Sequence, residues 1–338
     1  MQGMEQTRFE SHHALTRLPY FERLEPGWLR LDPALGPAID VHTHLALAFL
    51  GPMRVDLNRA YPRTEHYLGM DHPVDLDVYA NRNFTPDDLR RMKLDLILLS
   101  MTSRGMRRTH TLPNLLREMR ALSIAHCVLL PIDLPLISDN AGAYLTVSRG
   151  HAEVVCFGSV HPFSRGLAAR LDRQRAMGAR GIKFHPASQM IAPDHPRAMT
   201  LYRLCAERHL PVLFHCGPVD IEPAAGRRRS QVRLYEPAIA NNPDTTFVLG
   251  HSGALQFDLA LDLARRYDNV WLESSSQSLT NVRRLVADGP PRRVLFGSDW
   301  PFYSQAMSLA KVLLATESAP DARRAMMFDN AARLFGLA

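Results

Sequence analysis

From Ala125 to Leu314 the chain repeats one pattern, a short apolar run followed by a stretch of helical length. The runs are Cys127 to Ile132, Val154 to Val160, Gly181 to His185, Val212 to His215, Thr246 to Leu249, Val270 to Glu273 and Val294 to Gly297. Ile39 to His44, further upstream, makes eight. Runs that are apolar at nearly every position fit strands buried on both faces, as in a parallel sheet covered by helices. Between them, Leu167 to Met177, Ala198 to Arg208, Ala254 to Arg266 and Ser304 to Leu314 place apolar residues at helical spacing. Eight strand and helix units predict an α/β fold, a (β/α)8 TIM barrel. An open doubly wound sheet is the competitor, but no Gly-x-Gly-x-x-Gly turn follows any strand.

The flanks are less regular. Residues 1–38 have no clear period and read as an N-terminal extension wrapped on the outside of one barrel domain spanning 1–338. Residues 45–83, rich in Pro, Asp, Asn and Tyr, form a long insertion after strand 1; because it follows His44 directly, it should act as a lid over whatever His42 and His44 bind. Thr85-Pro86-Asp87-Asp88 supplies an N-cap, a first-turn Pro and two acids. It predicts a helix to about Met101, with a strand over Asp95 to Met101 as the alternative, and a second helix follows over Leu112 to Leu122.

Composition narrows the function little. A hydrophobic fraction of 46% and a charged fraction of 22% are ordinary for a globular protein. The net charge of +6 is spread along the chain, apart from Arg227-Arg228-Arg229, and no nucleic-acid motif accompanies it. No apolar run approaches the roughly 18 residues of a membrane span, and the N-terminus is polar, so a cytoplasmic protein is expected. Cys127, Cys156, Cys205 and Cys216 lack metal or redox spacing and read as reduced core residues.

The chemistry lies where the runs end. Barrel enzymes build their sites at the C-terminal ends of the strands. His42 and His44, two residues apart on strand 1, share a face. With His215 from strand 5 and Asp299 from strand 8 they make four ligands for one divalent metal ion, leaving a position for water. His251 on strand 6 would act on that water as base or acid, and Asp299 could also carry a proton to the leaving group.

The wording around these residues is Ile-Asp-Val-His-Thr-His, Gly-Ile-Lys-Phe-His-Pro, Pro-Val-Leu-Phe-His, Leu-Gly-His-Ser-Gly and Phe-Gly-Ser-Asp-Trp-Pro. In that order it resembles the amidohydrolase superfamily, and within it the amidohydrolase-2 branch, over roughly residues 38–305. The resemblance implies that His42, His44, His215 and Asp299 bind metal and that His251 is the catalytic histidine. It leaves the reaction open, because the branch includes hydrolases of amides and lactones as well as nonoxidative decarboxylases of aromatic or muconate acids.

Other residues are expected around the substrate. Lys183 and His185 share a face of strand 4, where a fixed cation or donor would meet a carboxylate. In binuclear members of the superfamily a carbamylated lysine stands on this strand; were Lys183 carbamylated, His215 and His251 would bind a second ion. His161, after strand 3, and Arg227, after strand 5, are further candidates for substrate contact, Trp300 and Phe302 for the pocket wall, and Glu273 for reaching inward. Zinc is the default metal; manganese, iron or cobalt suits the same ligands. The expected protein is a metal-dependent hydrolase of a small acidic amide, ester or lactone, with no nucleic-acid or membrane partner and a homodimer as one possible assembly. A decarboxylase, or a barrel that binds without catalysis, are the alternatives.

Overall fold

A computed structural model describes residues 7–24, 28–134 and 137–337. Residues 1–6 and 25–27 of the expected extension, and so the polar start of the chain, lie outside the described residues. Eight parallel strands form the barrel: β1 (Ala38–Thr43), β2 (Ile124–Leu129), β3 (Val154–Cys156), β4 (Ile182–Phe184), β5 (Val212–His215), β6 (Phe247–Gly250), β7 (Val270–Glu273) and β8 (Val294–Leu295). One ladder runs β1-β2-β3 and the other β4 to β8 in order. Two seams close the ring. Gly158 and Ile182 bridge β3 to β4, and Lys183 N donates to Gly158 O at 2.8 Å. Between β8 and β1, Val41 N donates to Phe296 O at 3.0 Å and Asp299 N to His42 O at 2.8 Å. The (β/α)8 barrel expected from the alternation is therefore present.

Most elements fall where periodicity puts them, with shifts that have local causes. β2 starts three residues early and its pairing ends before Pro131, which has no N–H to give a ladder. The helix expected over 254–266 begins at Phe257, because His251 to Ala254 all have positive φ. The helix Pro86–Ile97 forms under a Thr85–Asp88 capping box, and Leu99–Met101 continues as a 3-10 turn rather than the alternative strand.

The interior is filled below the strand ends by Ile39, Val41, Val128, Val155, Leu213 and Val248, against Phe335 of the C-terminal helix. The helix Gln305–Ala315 is buried along nearly its whole length. Such a helix needs cover on every side, and the N-terminal segment His12–Arg17 packs across it, with His12 Nδ1 2.7 Å from Ser304 Oγ.

Segment 45–83 contains little regular structure: the two residues Val74–Asp75, paired with Arg8–Phe9, and a turn over Ala80–Asn83. Polar anchors hold it. Glu118 is buried and accepts hydrogen bonds from His66 Nε2 and Trp300 Nε1, each at 3.0 Å, and from the Thr64 hydroxyl. Tyr67 N and Leu68 N donate to Pro301 O and Phe302 O of the loop after β8.

The register of β1 breaks between Asp40 and Thr43. In an unbroken strand Asp40 and His42 would share a face; an irregularity of this kind re-aims side chains. Here Asp40 turns to the outer helix and accepts from Ser298 N (2.9 Å), Ser298 Oγ (2.5 Å) and Gln305 Nε2 (2.7 Å). His42 turns inward, its Nε2 3.2 Å from Lys183 Nζ of β4. Asp40 thereby clamps β1 to the segment that carries Asp299. Replacing it (Asp40→Ala) strands these three buried donors and a fourth, His42 N at 3.2 Å, and should destabilise the protein by about 3 kcal/mol or more. Urea unfolding of the metal-free protein checks this; a loss under about 1 kcal/mol would contradict the clamp.

Candidate metal centre and active site

Three acceptor atoms converge at the upper rim of the barrel. His44 Nδ1 lies 2.6 Å from Leu130 O, which can only accept, so Nδ1 carries the proton and Nε2 is bare. His42 Nδ1 lies 2.9 Å from Glu273 Oε1, so its Nε2 is bare as well. Asp299 Oδ1 stands 3.5 Å from His44 Nε2 and 3.7 Å from His42 Nε2. Two bare imidazole nitrogens and one carboxylate oxygen, with carboxylate and carbonyl groups fixing the rings from behind, form a donor set that fits a divalent cation. Burial holds His42 well below its ordinary pKa, with Lys183 and His251 adding to the effect, so the ring is neutral and able to ligate.

His215 stands beside this set rather than in it. Its ring stacks on His185 at 4.0 Å, and its Nδ1 is 3.1 Å from His251 Nε2. Burial, then Lys183 and His44, lower its pKa to about 3. His251 Nδ1 lies 2.8 Å from Ser275 Oγ, which donates to Glu273 Oε1 at 2.7 Å. The chain of partners therefore assigns the protons: His215 Nδ1–H to His251 Nε2, His251 Nδ1–H to Ser275, Ser275 O–H to the Glu273 carboxylate.

Glu273 is the residue the sequence reading underrated. Fully buried, it also accepts from the backbone N–H of His251 and from Ser275 N at 2.6 Å. Burial raises its pKa to about 7. His42, His251 and Glu273 form a second cluster close enough to share an ion. The Glu273 oxygens are already occupied by these donors, which makes Glu273 an orienting group. An acid ending an apolar strand run, followed by Ser274-Ser275-Ser276, was the available signal.

Lys183 and His185 line a cavity of about 640 Å³ together with His44, His215, His251 and Asp299. Burial lowers the Lys183 pKa to about 7 against the pull of Asp299 and Glu273. The walls are largely apolar: Phe49 and Leu50 from the insertion, Phe84, Ile97 and Phe302. Phe49 and Leu50 of the insertion and Phe302 are thus among the lining residues. Trp300 is behind them, fully buried against Glu118.

Two other candidates face elsewhere. His161 lines a neighbouring cavity of about 770 Å³, and its Nε2 bonds Gln189 O at 2.8 Å. Arg227 is exposed on the short helix Ala224–Arg229, 3.6 Å from Asp220, and is not among the lining residues of the cavity beside Lys183 and His185. Neither is among the residues that line the cavity beside His44 and Asp299. The four cysteines are buried and free, as expected. No described helix is long and apolar enough to cross a membrane.

The Amidohydrolase family matches residues 39–337. The chain belongs to that family. Among solved structures, this amidohydrolase resembles an uncharacterised TIM-barrel protein from Bordetella bronchiseptica (17% identity, TM-score 0.61, 89% of this chain and 99% of that one). It also resembles 5-carboxyvanillate decarboxylase from Sphingomonas paucimobilis (14%, TM-score 0.59, 89% and 99%). A third is a protein described as a probable 2-pyrone-4,6-dicarboxylic acid hydrolase from Acinetobacter baumannii, with citric acid bound (13%, TM-score 0.57, 89% and 100%). These likenesses establish the barrel for the amidohydrolase, and the relatives named by activity are enzymes of two different classes. No curated protein matches the sequence.

Gly297 lets the centre close. A Cβ there would lie 2.4 Å from Glu273 Oε2 and 3.1 Å from His42 Cβ. Gly297→Ala should push the carboxylate off His42 and weaken metal affinity by about 10- to 100-fold. Competition with a chromophoric chelator measures this, and unchanged affinity would show that Glu273 does not orient His42.

Proposed function

We propose that this amidohydrolase is a metal-dependent hydrolase that opens an amide, ester or lactone bond of a small substrate with an apolar body and an acidic group. The observation that carries the reading is the convergence of His42, His44 and Asp299 next to a histidine, His251, whose ring is braced from behind by Ser275 and Glu273. His42, His44 and Asp299 would hold the ion, with His215 as the fourth ligand from the His251 side. A bound divalent ion would supply Lewis acidity, lowering the pKa of water and polarising a carbonyl. Zinc suits the ligand types.

The protein's own groups handle substrate and protons. His251 accepts the proton of the attacking water at Nε2, where that water takes the place of the His215 Nδ1–H, and the positive charge that develops is steadied through Nδ1–H, Ser275 and the Glu273 carboxylate. Asp299 Oδ2, held by Ser276 Oγ at 3.3 Å, is free of the two histidines and can relay that same proton from His251 to the leaving group. Lys183 meets the acidic group, and the apolar wall excludes water from the rest.

A second reading has support from that same wall. A cavity lined by Phe49, Phe84 and Phe302 suits an aromatic ring. In a decarboxylase, the carbon–carbon bond would break with its electron pair left on the ring, and His251 or Asp299 would protonate that carbon. Lactones and aromatic acids incubated in heavy-oxygen water distinguish the two: label in the organic product supports hydrolysis, whereas release of carbon dioxide with no label in the organic product overturns it in favour of decarboxylation.

His251→Asn should lower kcat by about 10²- to 10⁴-fold while metal stays bound. Steady-state kinetics with elemental analysis of the same sample is the check, and full retained turnover would remove His251 from the mechanism. Elemental analysis should also find one ion per chain, removable by chelation with loss of activity; two ions per chain would point to a carbamylated Lys183 instead.

A further inference from the structure

The backbone that carries His251 is held in a conformation that L-residues avoid. His251 has φ 57°, Ser252 43°, Gly253 81° and Ala254 49°, and only one of the four is glycine. The turn has little room to relax. Gly250 before it packs on β5, where a Cβ would lie 2.1 Å from Phe214 O, and Gly217 presses on Gly253 O from the other side. Strain concentrated at a reacting group persists only where surrounding contacts fix it.

Those contacts come from the segment after β7, one residue at a time. Glu273 holds His42, Ser275 Oγ holds the His251 ring, and Ser276 Oγ holds Asp299. Gln277 takes the backbone: its Nε2 donates to His251 O and, at 3.0 Å, to Ala254 O, the first and last residues of the turn. Two carbonyls demand two hydrogens, and the amide nitrogen supplies both without bringing in a charge. The amide is fixed in turn, since Asn281 Nδ2 donates to Gln277 Oε1 at 2.8 Å. Behind it the buried Lys311 donates to Gln277 O at 2.7 Å. Gln277 itself is fully buried.

We infer that Gln277 is a positioning residue for His251: its side-chain amide staples both ends of the left-handed turn and so sets where the His251 ring stands against His215 and Ser275. It touches neither the metal ligands nor the cavity. The inference borrows from the proposed function only the role of His251, and its test reads the ring directly. A failed substrate search and a failed staple are therefore separate results.

The experiment uses the full chain with its metal, labelled with nitrogen-15 histidine, as wild type, Gln277→Leu and Asn281→Ala. The second variant removes only the donor that orients the amide, and keeps the test available should Gln277→Leu not fold. The His251 imidazole signals should move or broaden in Gln277→Leu and, more weakly, in Asn281→Ala. Metal content and the His44 signals should stay as in wild type. Amide exchange over residues 251–256 should speed up at least tenfold in Gln277→Leu with other segments unchanged. Unmoved His251 signals in a folded variant, or equal shifts of all histidines, would overturn the staple.

Discussion

The buried carboxylate of Glu273 is the constraint on which the rest of the site depends. It receives hydrogen bonds from His42, from Ser275 and from the backbone N–H groups of His251 and Ser275, drawing together β1, β6 and β7 at one point. Withdrawing a carboxylate from water is costly, and only a full set of donors makes it tolerable. That same set fixes the tautomer of His42 and the direction of His251. One electrostatic requirement thus places His42 and His251 side by side at the rim. The bare glycine at 297 leaves the space in which this can happen.

The barrel and its axis of chemistry were legible because they rest on local periodicity. Apolar runs of strand length and helical spacings recur eight times, and the side chains that end strands 1, 5, 6 and 8 must face one rim once the ring closes. What stayed hidden depends on neighbours far away in sequence. Asp40 and His42 look like partners on one face, and only the broken register against β2 sends them to opposite sides. Gln277, Asn281 and Lys311 carry no motif, since their meaning lies in carbonyls at residues 251, 254 and 277. His161 and Arg227 satisfied the rule that rim residues follow strands, but that rule gives position and not direction. His161 is turned to Gln189 and Arg227 to Asp220.

The insertion shows a different limit. Its residues have no helical or strand period because they form almost no regular structure; a buried Glu118, with Trp300 and His66 on it, does the work that backbone ladders do elsewhere. The apolar cover of helix Gln305–Ala315 by the N-terminal segment is of the same kind, a contact between distant parts with no pattern to announce it.

The way the insertion is fastened separates two duties. Its anchors lie behind the rim, on Glu118 and the loop after β8, whereas Phe49 and Leu50 project into the cavity from backbone that no strand fixes. Neither side chain takes part in the hydrogen bonds that hold His42, His251 and Glu273. The roof of the cavity and the hydrogen-bonded floor beneath it are therefore held by separate sets of contacts.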